Sequence, residues 1–463
     1  MRLPKYKFLL VVLLLFQCAC PLIKKNPPLD VIFAKAGEKR GKLPVIIIPG
    51  VLGTELVNSK TNEKVWFSRS SSKDDTLALP TTPNLSENRD SLIPITIIQR
   101  TKVYRLLPEV EIYEALIKAM QKYGGYKEGS WENPTIESAY DTYYIFKYDW
   151  RRDNVENARL LIRKVEDLKR KLGKSDLKFN VLAHSMGGLI IRYAVMYGDK
   201  DLPVSEPKPD WAGAKHFNKI FTFGTPNKGS MAAFIGLLEG YSTKTITGTI
   251  RFSNLSPDVL FTFPSAFQLL PSPENAKFYD ENLRPLEIDL YDPIIWKTFG
   301  WGALYSKAKK KGEKVEFSEE TPEYFERVLN RARLFHEALD AETKPPTSLT
   351  FFVFGSDCTK TIDGVILRRD PKKGSWITLY KPTSYRTSDG RKIKESEVER
   401  LIFSPGDGRV TRESLISTNI LTTVTSQRFS PNVVNFFCEE HGDLVNNKIV
   451  QNNFLTSLIL ESQ

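Results

Sequence analysis

Short, almost continuous apolar runs are the first regular feature of the chain. The stretch KLPVIIIPG (42–50) is rich in β-branched residues and predicts a central strand that is buried on both faces. Apolar runs at 141–150, 176–184, 216–226 and 348–357 predict further strands of the same kind.

Amphipathic stretches lie between these runs. Apolar residues recur at helical spacing in 109–124 and 155–173, each of which ends at a glycine, and again from about Met186. A closing helix is predicted within 439–459. Strands that alternate with helices predict an α/β fold with a mostly parallel sheet, helices on both faces and right-handed crossovers.

Two long segments interrupt this alternation. Residues 54–108 are rich in Ser, Thr, Asn and Pro and predict mostly loop with some short structure. Residues 227–347 mix aromatic, proline-rich and helical pieces, which predicts a helical cap inserted into the path of the sheet. The core is therefore expected to comprise residues 43–226 and 348–463.

Composition adds a class and a charge. Of the 463 residues, 41% are apolar and 26% charged, which is typical of a globular protein and not of a disordered chain. The formal net charge of +11 favours an anionic surface as partner. The lysine-rich run at 306–314 predicts a solvated loop, with a binding segment as the alternative.

The N-terminus predicts export. Arg2, Lys5 and Lys7 precede the apolar stretch FLLVVLLLF (8–16), which has the length of a signal peptide and is short for a membrane span. We therefore expect residues 1–20 to be a signal peptide and the protein to reach the periplasm or cell envelope, or to be secreted.

The cysteines extend this prediction. Cys18 and Cys20 follow the apolar stretch, so either is a candidate for the lipid-modified residue of a lipoprotein; Cys20 is preferred because Ala19 precedes it, and ordinary cleavage near Ala19 is the alternative. In an oxidising compartment Cys358 and Cys438 are a natural disulfide pair, with two free thiols as the alternative.

The sequence AHSMG (183–187) carries the first candidate chemistry. It follows a predicted strand, precedes a predicted helix and has small residues two places before and after Ser185, as a sharp strand-to-helix turn requires. On such a turn a serine is exposed above the sheet edge, beside helix amides that favour an oxyanion. Ser185 is therefore predicted to be a nucleophile; a small residue at a tight turn is the alternative.

A serine needs a base, and the chain has four histidines. His184 adjoins the serine and is expected to point away from it, His216 opens a strand, and His336 lies in a cap helix. His441, in a polar loop after the last predicted strand, has the position of the base in the Ser, Asp, His order of an α/β-hydrolase.

The acid that orients this histidine is expected in a loop after a late strand. Asp407 in SPGDGRVT fits, and a plain Asp-Gly turn is its structural alternative. Asp357 is the rival one strand earlier, and Asp443 is very near His441 in sequence. No two of the four histidines have ligand spacing, so we expect no metal and no cofactor.

The oxyanion of such a reaction needs two backbone donors. The amide of Met186 follows the nucleophile, and the amide of Val51 lies in the glycine-containing loop PGVLGT after the first strand. Glycine-containing loops of this kind also bind nucleotide phosphates, but the spacings of nucleotide-binding motifs are absent.

Taken together, five short blocks resemble one known family. They are VIIIPGVLGTEL, YDWRRD, AHSMGG, GDGRV and EEHGDLV, and they occur in the order found in the lecithin:cholesterol acyltransferase and lysosomal phospholipase A2 family of α/β-hydrolases, over roughly residues 43–455. The resemblance implies Ser185, Asp407 and His441 as a triad and Val51 and Met186 as oxyanion donors. It also implies a lid or membrane-contacting insertion at 54–108, with Trp66 as a lipid or acyl-chain contact.

The expected activity is that of a serine-dependent lipid acyl hydrolase or O-acyltransferase on phospholipid or related esters, with water or an alcohol such as a sterol as acceptor. The partner is expected to be an anionic membrane or lipid-aggregate surface and not a nucleic acid. Two alternatives stay open. The first is a triacylglycerol lipase or carboxylesterase, because FGTPNKGS resembles bacterial triacylglycerol lipases and inositol-deacylase-like hydrolases. The second is a surface lipoprotein that binds lipid without turnover.

Overall fold

The structure is a computed structural model and describes residues 26–67, 77–101, 110–245, 248–251, 255–306, 315–417 and 431–460. The predicted signal peptide with Cys18 and Cys20 and the lysines of the 306–314 run lie outside these residues. The predictions on export and lipidation therefore stay predictions.

A parallel sheet of seven strands forms the centre of the fold. In chain order its strands are β1 (Val45–Ile48), β2 (Lys127–Glu128), β3 (Thr142–Ile145), β4 (Phe179–His184), β5 (Phe217–Phe223), β6 (Thr350–Ser356) and β7 (Val433–Phe437). They lie side by side in the order β7-β6-β5-β4-β1-β3-β2. The predicted α/β class and parallel sheet are confirmed, although β2 and the edge strand β7 were not predicted.

Helices cover both faces of this sheet. They are α1 (Glu114–Lys122), α2 (Asn154–Lys171), α3 (Met186–Tyr197), α4 (Thr321–Leu339) and α5 (Lys448–Leu455). Successive side chains of a strand point to opposite faces. Ile46 and Ile48 of β1 accordingly pack in one apolar cluster with α2 and α3, whereas Val45 and Ile47 pack in a second cluster with α1 and α5.

Local capping explains where the longest core helix begins and ends. The Asp153 carboxylate accepts hydrogen bonds from the amides of Val155 and Glu156, which satisfies two of the free donors at the start of α2. Basic residues occupy its last turn, where they interact favourably with the helix dipole.

The described part of the 54–108 insertion is folded against the core. Strands Thr54–Asn58, Lys64–Trp66 and Leu92–Ile97 form an antiparallel sheet, which is the short structure expected within the predicted loop. The buried Arg151, at the start of the turn before α2, donates to both carboxylate oxygens of Asp90 at 2.6 and 2.9 Å and joins the insertion to the core.

The cap surrounds an aromatic cluster that includes Phe234, Trp296 and Phe325. Besides α4, its helices are Met231–Glu239, Pro257–Phe261, Pro264–Phe267, Pro293–Phe299 and Gly302–Tyr305. It also contains a small sheet of Lys277–Tyr279, Pro285–Leu286, Gly364–Arg369 and Trp376–Leu379. The predicted boundary at 347 is therefore wrong in one respect, since two strands after it complete the cap sheet.

Smaller α-helices and strands lie between these elements. They are the helices Leu29–Ile32, Glu395–Ile402 and Arg412–Ile416 and the paired strands Arg100–Thr101 with Val110–Glu111, Ser242–Thr245 with Gly248–Arg251, Thr359–Ile362 with Phe403–Gly406, and Tyr385–Arg386 with Lys392–Ile393. No helix in the described part of the chain combines the length and the apolar character that a membrane span needs.

The two predicted partner cysteines are bonded to each other. Cys358 follows β6 and Cys438 follows β7, and their Cα atoms lie 5.3 Å apart. Because Cys438 is three residues before His441, the disulfide ties the beginning of the His441 loop to the neighbouring strand end.

Candidate active site

Ser185 occupies the sharp turn between β4 and α3. Its backbone has φ 52° and ψ −124°, a conformation that costs a residue with a Cβ free energy and that occurs mostly where function requires it. A Cβ atom at Gly187 would lie 2.7 Å from the carbonyl oxygens of both Ile48 and Pro49, so this place in the motif has no room for a side chain. The local crowding that the motif predicted is present.

The structure brings the three predicted side chains together. The Ser185 Oγ lies 2.9 Å from Nε2 of His441, and Nδ1 of the same ring lies 2.8 Å from Oδ2 of Asp407. Asp407 follows the short strand Phe403–Gly406, and His441 lies in the loop after β7. Residues that are up to 256 positions apart thus form one hydrogen-bonded chain from acid to imidazole to hydroxyl.

Asp407 is held as a carboxylate. The residue is 2% exposed, and burial by itself raises the pKa of its carboxyl group. The neighbouring His441 ring and hydrogen bonds from that ring and from the amides of Val410 and Arg409 outweigh burial, so the pKa lies below its ordinary value. The two amides donate to Oδ1 at 2.7 and 2.9 Å, which leaves Oδ2 for the imidazole.

The rival acids have other surroundings. Asp357 pairs with Arg412 at 3.6 Å. Asp443 lies in the turn after the histidine, where burial and then Glu439 and Glu440 raise its pKa. The geometry therefore selects Asp407 as the partner of the imidazole, as its place after a late strand predicted.

The two predicted oxyanion donors lie at the turns beside Ser185. Met186 is the first residue of α3, and Val51 lies in a tight turn in which the Gly53 amide donates to the Gly50 carbonyl at 3.1 Å. Their role as donors to an oxyanion stays a prediction.

One functional candidate escaped prediction, because the His184 ring contacts the loop that carries the base. Its Nε2 lies 3.1 Å from the His441 carbonyl oxygen, and its Nδ1 lies 2.8 Å from the Tyr113 hydroxyl. The Tyr113 hydroxyl also accepts a hydrogen bond from the Gly50 amide at 2.8 Å. The available signal was a histidine at the end of a mostly apolar strand, directly before the nucleophile.

The prediction that Trp66 contacts a membrane is wrong, whereas its role as an acyl-chain contact stays a prediction. Trp66 is 2% exposed and belongs to the main apolar cluster, where its ring packs against Trp150 with centroids 5.5 Å apart. Its indole N–H donates to the Leu52 carbonyl at 2.9 Å. The aromatic side chain stabilises the insertion and the turn beside Val51 and does not reach a membrane surface.

The remaining histidines are part of the packing. Burial lowers the pKa of His336 in α4 to about 4, and burial together with nearby lysines lowers the pKa of His216 to about 4. Among the described residues, no group of three or more His, Cys, Asp or Glu side chains is arranged to hold a metal ion.

The parallel sheet, the serine on a strand-to-helix turn and the acid and imidazole in loops after two later strands define an α/β-hydrolase. A model of the family described as lecithin:cholesterol acyltransferase matches residues 64–301, just over half of the chain. The chain belongs to this family. The protein is therefore a lipid-acting ester hydrolase or acyltransferase.

One of the matching solved structures has a similar overall fold. The crystal structure of the Tle4–Tli4 complex aligns over 90% of this chain and 98% of that chain, with a TM-score of 0.54 and 17% identity. Lipase BlEst2 of Bacillus licheniformis in its mature form covers 90% and 92% of the two chains at 11% identity, with a TM-score of 0.34. Lipase 1 from Pelosinus fermentans covers 91% and 99% at 13% identity, with a TM-score of 0.32. No curated protein matches the sequence.

Proposed function

We propose that the protein is a serine-dependent acyl hydrolase and O-acyltransferase that acts on phospholipid or related lipid esters through an acyl-enzyme. The observation that carries this proposal is the chain of hydrogen bonds from Asp407 through His441 to Ser185, at 2.8 and 2.9 Å. A hydroxyl within 2.9 Å of an imidazole nitrogen is within reach of a general base.

In the first half of the reaction, the Ser185 Oγ attacks the carbonyl carbon of the lipid ester while its proton passes to Nε2 of His441. The tetrahedral oxyanion accepts hydrogen bonds from the amides of Val51 and Met186. His441 then donates the proton to the oxygen of the leaving alcohol, such as a lysolipid. The carbon–oxygen bond of the ester breaks, and the acyl group remains on Ser185.

In the second half, an acceptor hydroxyl from water or from an alcohol such as a sterol gives its proton to His441 and attacks the acyl-enzyme. The returning proton restores the Ser185 hydroxyl as the product ester or acid leaves. Asp407 accepts from Nδ1 throughout, which leaves Nε2 free to accept the serine proton and stabilises the imidazolium.

We propose that the reaction takes place at a lipid surface. The net charge of +11 supports an anionic membrane or lipid aggregate as the partner, because such a surface attracts a basic protein. We further propose that the protein is exported to the cell envelope. The charged and apolar pattern of residues 1–20 supports export, and Cys20 or Cys18 is the candidate lipidation site.

The test combines covalent labelling with product identification. A fluorophosphonate probe should label the protein at Ser185 and fail to label Ser185→Ala. Phosphatidylcholine–phosphatidylglycerol vesicles with and without sterol should yield lysophospholipid, together with free fatty acid or sterol ester, by mass spectrometry. Preference for triacylglycerol or short-chain esters would replace the phospholipid assignment. Binding to vesicles without labelling or turnover would show a lipid-binding protein instead.

A further inference from the structure

His184 connects two loops of the candidate site, and the proposed reaction does not use it. One side of its ring faces the loop that carries His441, through the 3.1 Å contact between Nε2 and the His441 carbonyl oxygen. The other side faces the Gly50 loop through Tyr113, whose hydroxyl lies 2.8 Å from both Nδ1 and the Gly50 amide. The three contacts form a continuous bridge across the site.

Each hydrogen bond in this bridge has one consistent direction. A carbonyl oxygen only accepts, so Nε2 of His184 carries a proton and donates it to His441. The Gly50 amide only donates, so the Tyr113 oxygen accepts there and gives its own proton to Nδ1 of His184. The resulting ring is neutral, with one donating and one accepting nitrogen.

The surroundings favour this neutral ring. Burial, followed by the nearby His441, lowers the pKa of His184 to about 3. The centroids of the two imidazole rings lie only 5.0 Å apart. A second cation at this distance would oppose the imidazolium that His441 must become during acyl transfer.

The bridge also has little freedom to rearrange. Tyr113 is 2% exposed, and a Cβ atom at Gly50 would lie 2.9 Å from the Cβ of Ser185 and 3.2 Å from Nδ1 of His184. The Gly50 loop therefore lies directly on the nucleophile turn. Because His184 is bonded in sequence to Ser185, a shift of its ring would displace the nucleophile, the base and the Val51 amide relative to one another.

We infer that His184 and Tyr113 are positioning residues that hold the His441 loop and the Gly50–Val51 loop in a fixed relation to Ser185. This inference rests on the proposed function, since it assigns the bridge to acyl transfer. Neither residue is asked to exchange a proton with the substrate. Their contribution is geometric, and misplacement of reacting groups by about 1 Å can reduce a rate about a hundredfold.

The experiment removes the bridge at each end. Tyr113→Phe deletes one hydroxyl, His184→Leu deletes both ring contacts, and His184→Gln keeps an amide that can donate to the His441 carbonyl. Tyr144→Phe is the matched control, because its buried hydroxyl donates to the Ser138 carbonyl at 2.7 Å on the opposite side of β1 from β4. The steady-state rates are measured with a soluble short-chain ester, and thermal unfolding reports the folded fraction.

We expect Tyr113→Phe and His184→Leu to lower kcat by about tenfold to a hundredfold with KM near the wild-type value, because the bridge orders the reacting groups and not the substrate. His184→Gln should recover part of the loss, and Tyr144→Phe should keep the wild-type kcat. Wild-type kcat in Tyr113→Phe, or an equal loss in Tyr144→Phe, overturns the inference.

A second measurement tests the bridge without turnover. Nitrogen-15 NMR of histidine-labelled protein should show His184 protonated at Nε2 only and not titrating between pH 5 and 9. The opposite tautomer or a charged ring overturns the assigned hydrogen bonds. Activity that survives in Ser185→Ala would overturn the proposed function and this inference with it. Wild-type kcat in the His184 and Tyr113 variants, together with loss of activity in Ser185→Ala, would overturn the inference alone.

Discussion

Replacing Asp407 by Asn is the sharpest perturbation of the site, because the shape of the side chain is kept and only one hydrogen-bonding partner changes. The amides of Arg409 and Val410 donate to Oδ1 at 2.9 and 2.7 Å, so the amide oxygen of the new Asn must take that position. Its NH2 group then occupies the place of Oδ2, which lies 2.8 Å from Nδ1 of His441.

Two donors cannot face each other at this distance. The imidazole must therefore move its proton to Nε2, so that Nδ1 can accept from the Asn amide. Nε2 then donates to the Ser185 Oγ, from which it lies 2.9 Å, and can no longer take the serine proton. This change of tautomer costs about four orders of magnitude in kcat in serine hydrolases with such a triad, or about 5.4 kcal/mol.

The assay is the steady-state hydrolysis of a soluble short-chain ester at pH 7.5, together with the rate of fluorophosphonate labelling. Asp357→Asn is the matched control. Asp357 is the rival acid of the sequence and pairs with Arg412 at 3.6 Å, so its replacement should leave kcat near the wild-type value. A kcat for Asp407→Asn within tenfold of the wild type, in a protein that unfolds at the normal temperature, would refute the tautomer argument.

Three further predictions test the packing around the site. Gly187→Ala should lower the free energy of unfolding by about 1–3 kcal/mol and slow the labelling of Ser185, because the new Cβ would lie 2.7 Å from the Ile48 carbonyl oxygen. The control Gly236→Ala has no atom within 4 Å of the new Cβ and should stabilise its helix by about 0.5–1 kcal/mol. Equal effects of the two substitutions on stability would refute the crowding at Gly187. The neutral His336, with its pKa lowered to about 4, binds fewer protons than the unfolded chain below pH 6.5. His336 should therefore contribute about 1.4 kcal/mol per pH unit to the fall in stability from pH 6.5 to about 4, beside the contributions of His184 and His216. Urea unfolding of His336→Asn should show a slope smaller by that amount, and an unchanged slope would contradict this origin. Trp66→Phe should lower the free energy of unfolding by about 1–3 kcal/mol without weakening vesicle binding, because the indole is 2% exposed and donates to a backbone carbonyl. Loss of vesicle binding at unchanged stability would show that Trp66 contacts the membrane.

The central strands could be predicted from the sequence because their signal is local. Parallel strands covered by helices on both sides are apolar at every position, as in VIII of β1, and such runs stand out from the amphipathic helices between them. The edge strand β7 lacks this signal, since Val433 and Val434 remain partly exposed and the strand has a neighbour on one side only.

The cap and the insertion were harder to predict for a related reason. Two strands of the cap, Lys277–Tyr279 and Gly364–Arg369, pair although more than eighty residues separate them. The local sequence of neither strand indicates this pairing. The sequence KVWF around Trp66 fits a lipid contact as well as a core position, and only the packing against Trp150 distinguishes the two.

The sequence by itself determined the turn at Ser185, because small residues at fixed spacing between a strand and a helix are a local steric requirement. It also indicated Asp407 and His441 through the order in which an α/β-hydrolase places its acid and base. Only the tertiary structure decided that His184 and Tyr113 join the site, since hydrogen bonds across 71 and 257 positions depend on how strand ends and loops meet in space. A local steric requirement leaves a pattern of residue types in the sequence. The direction in which a side chain points at the edge of the sheet leaves no such pattern.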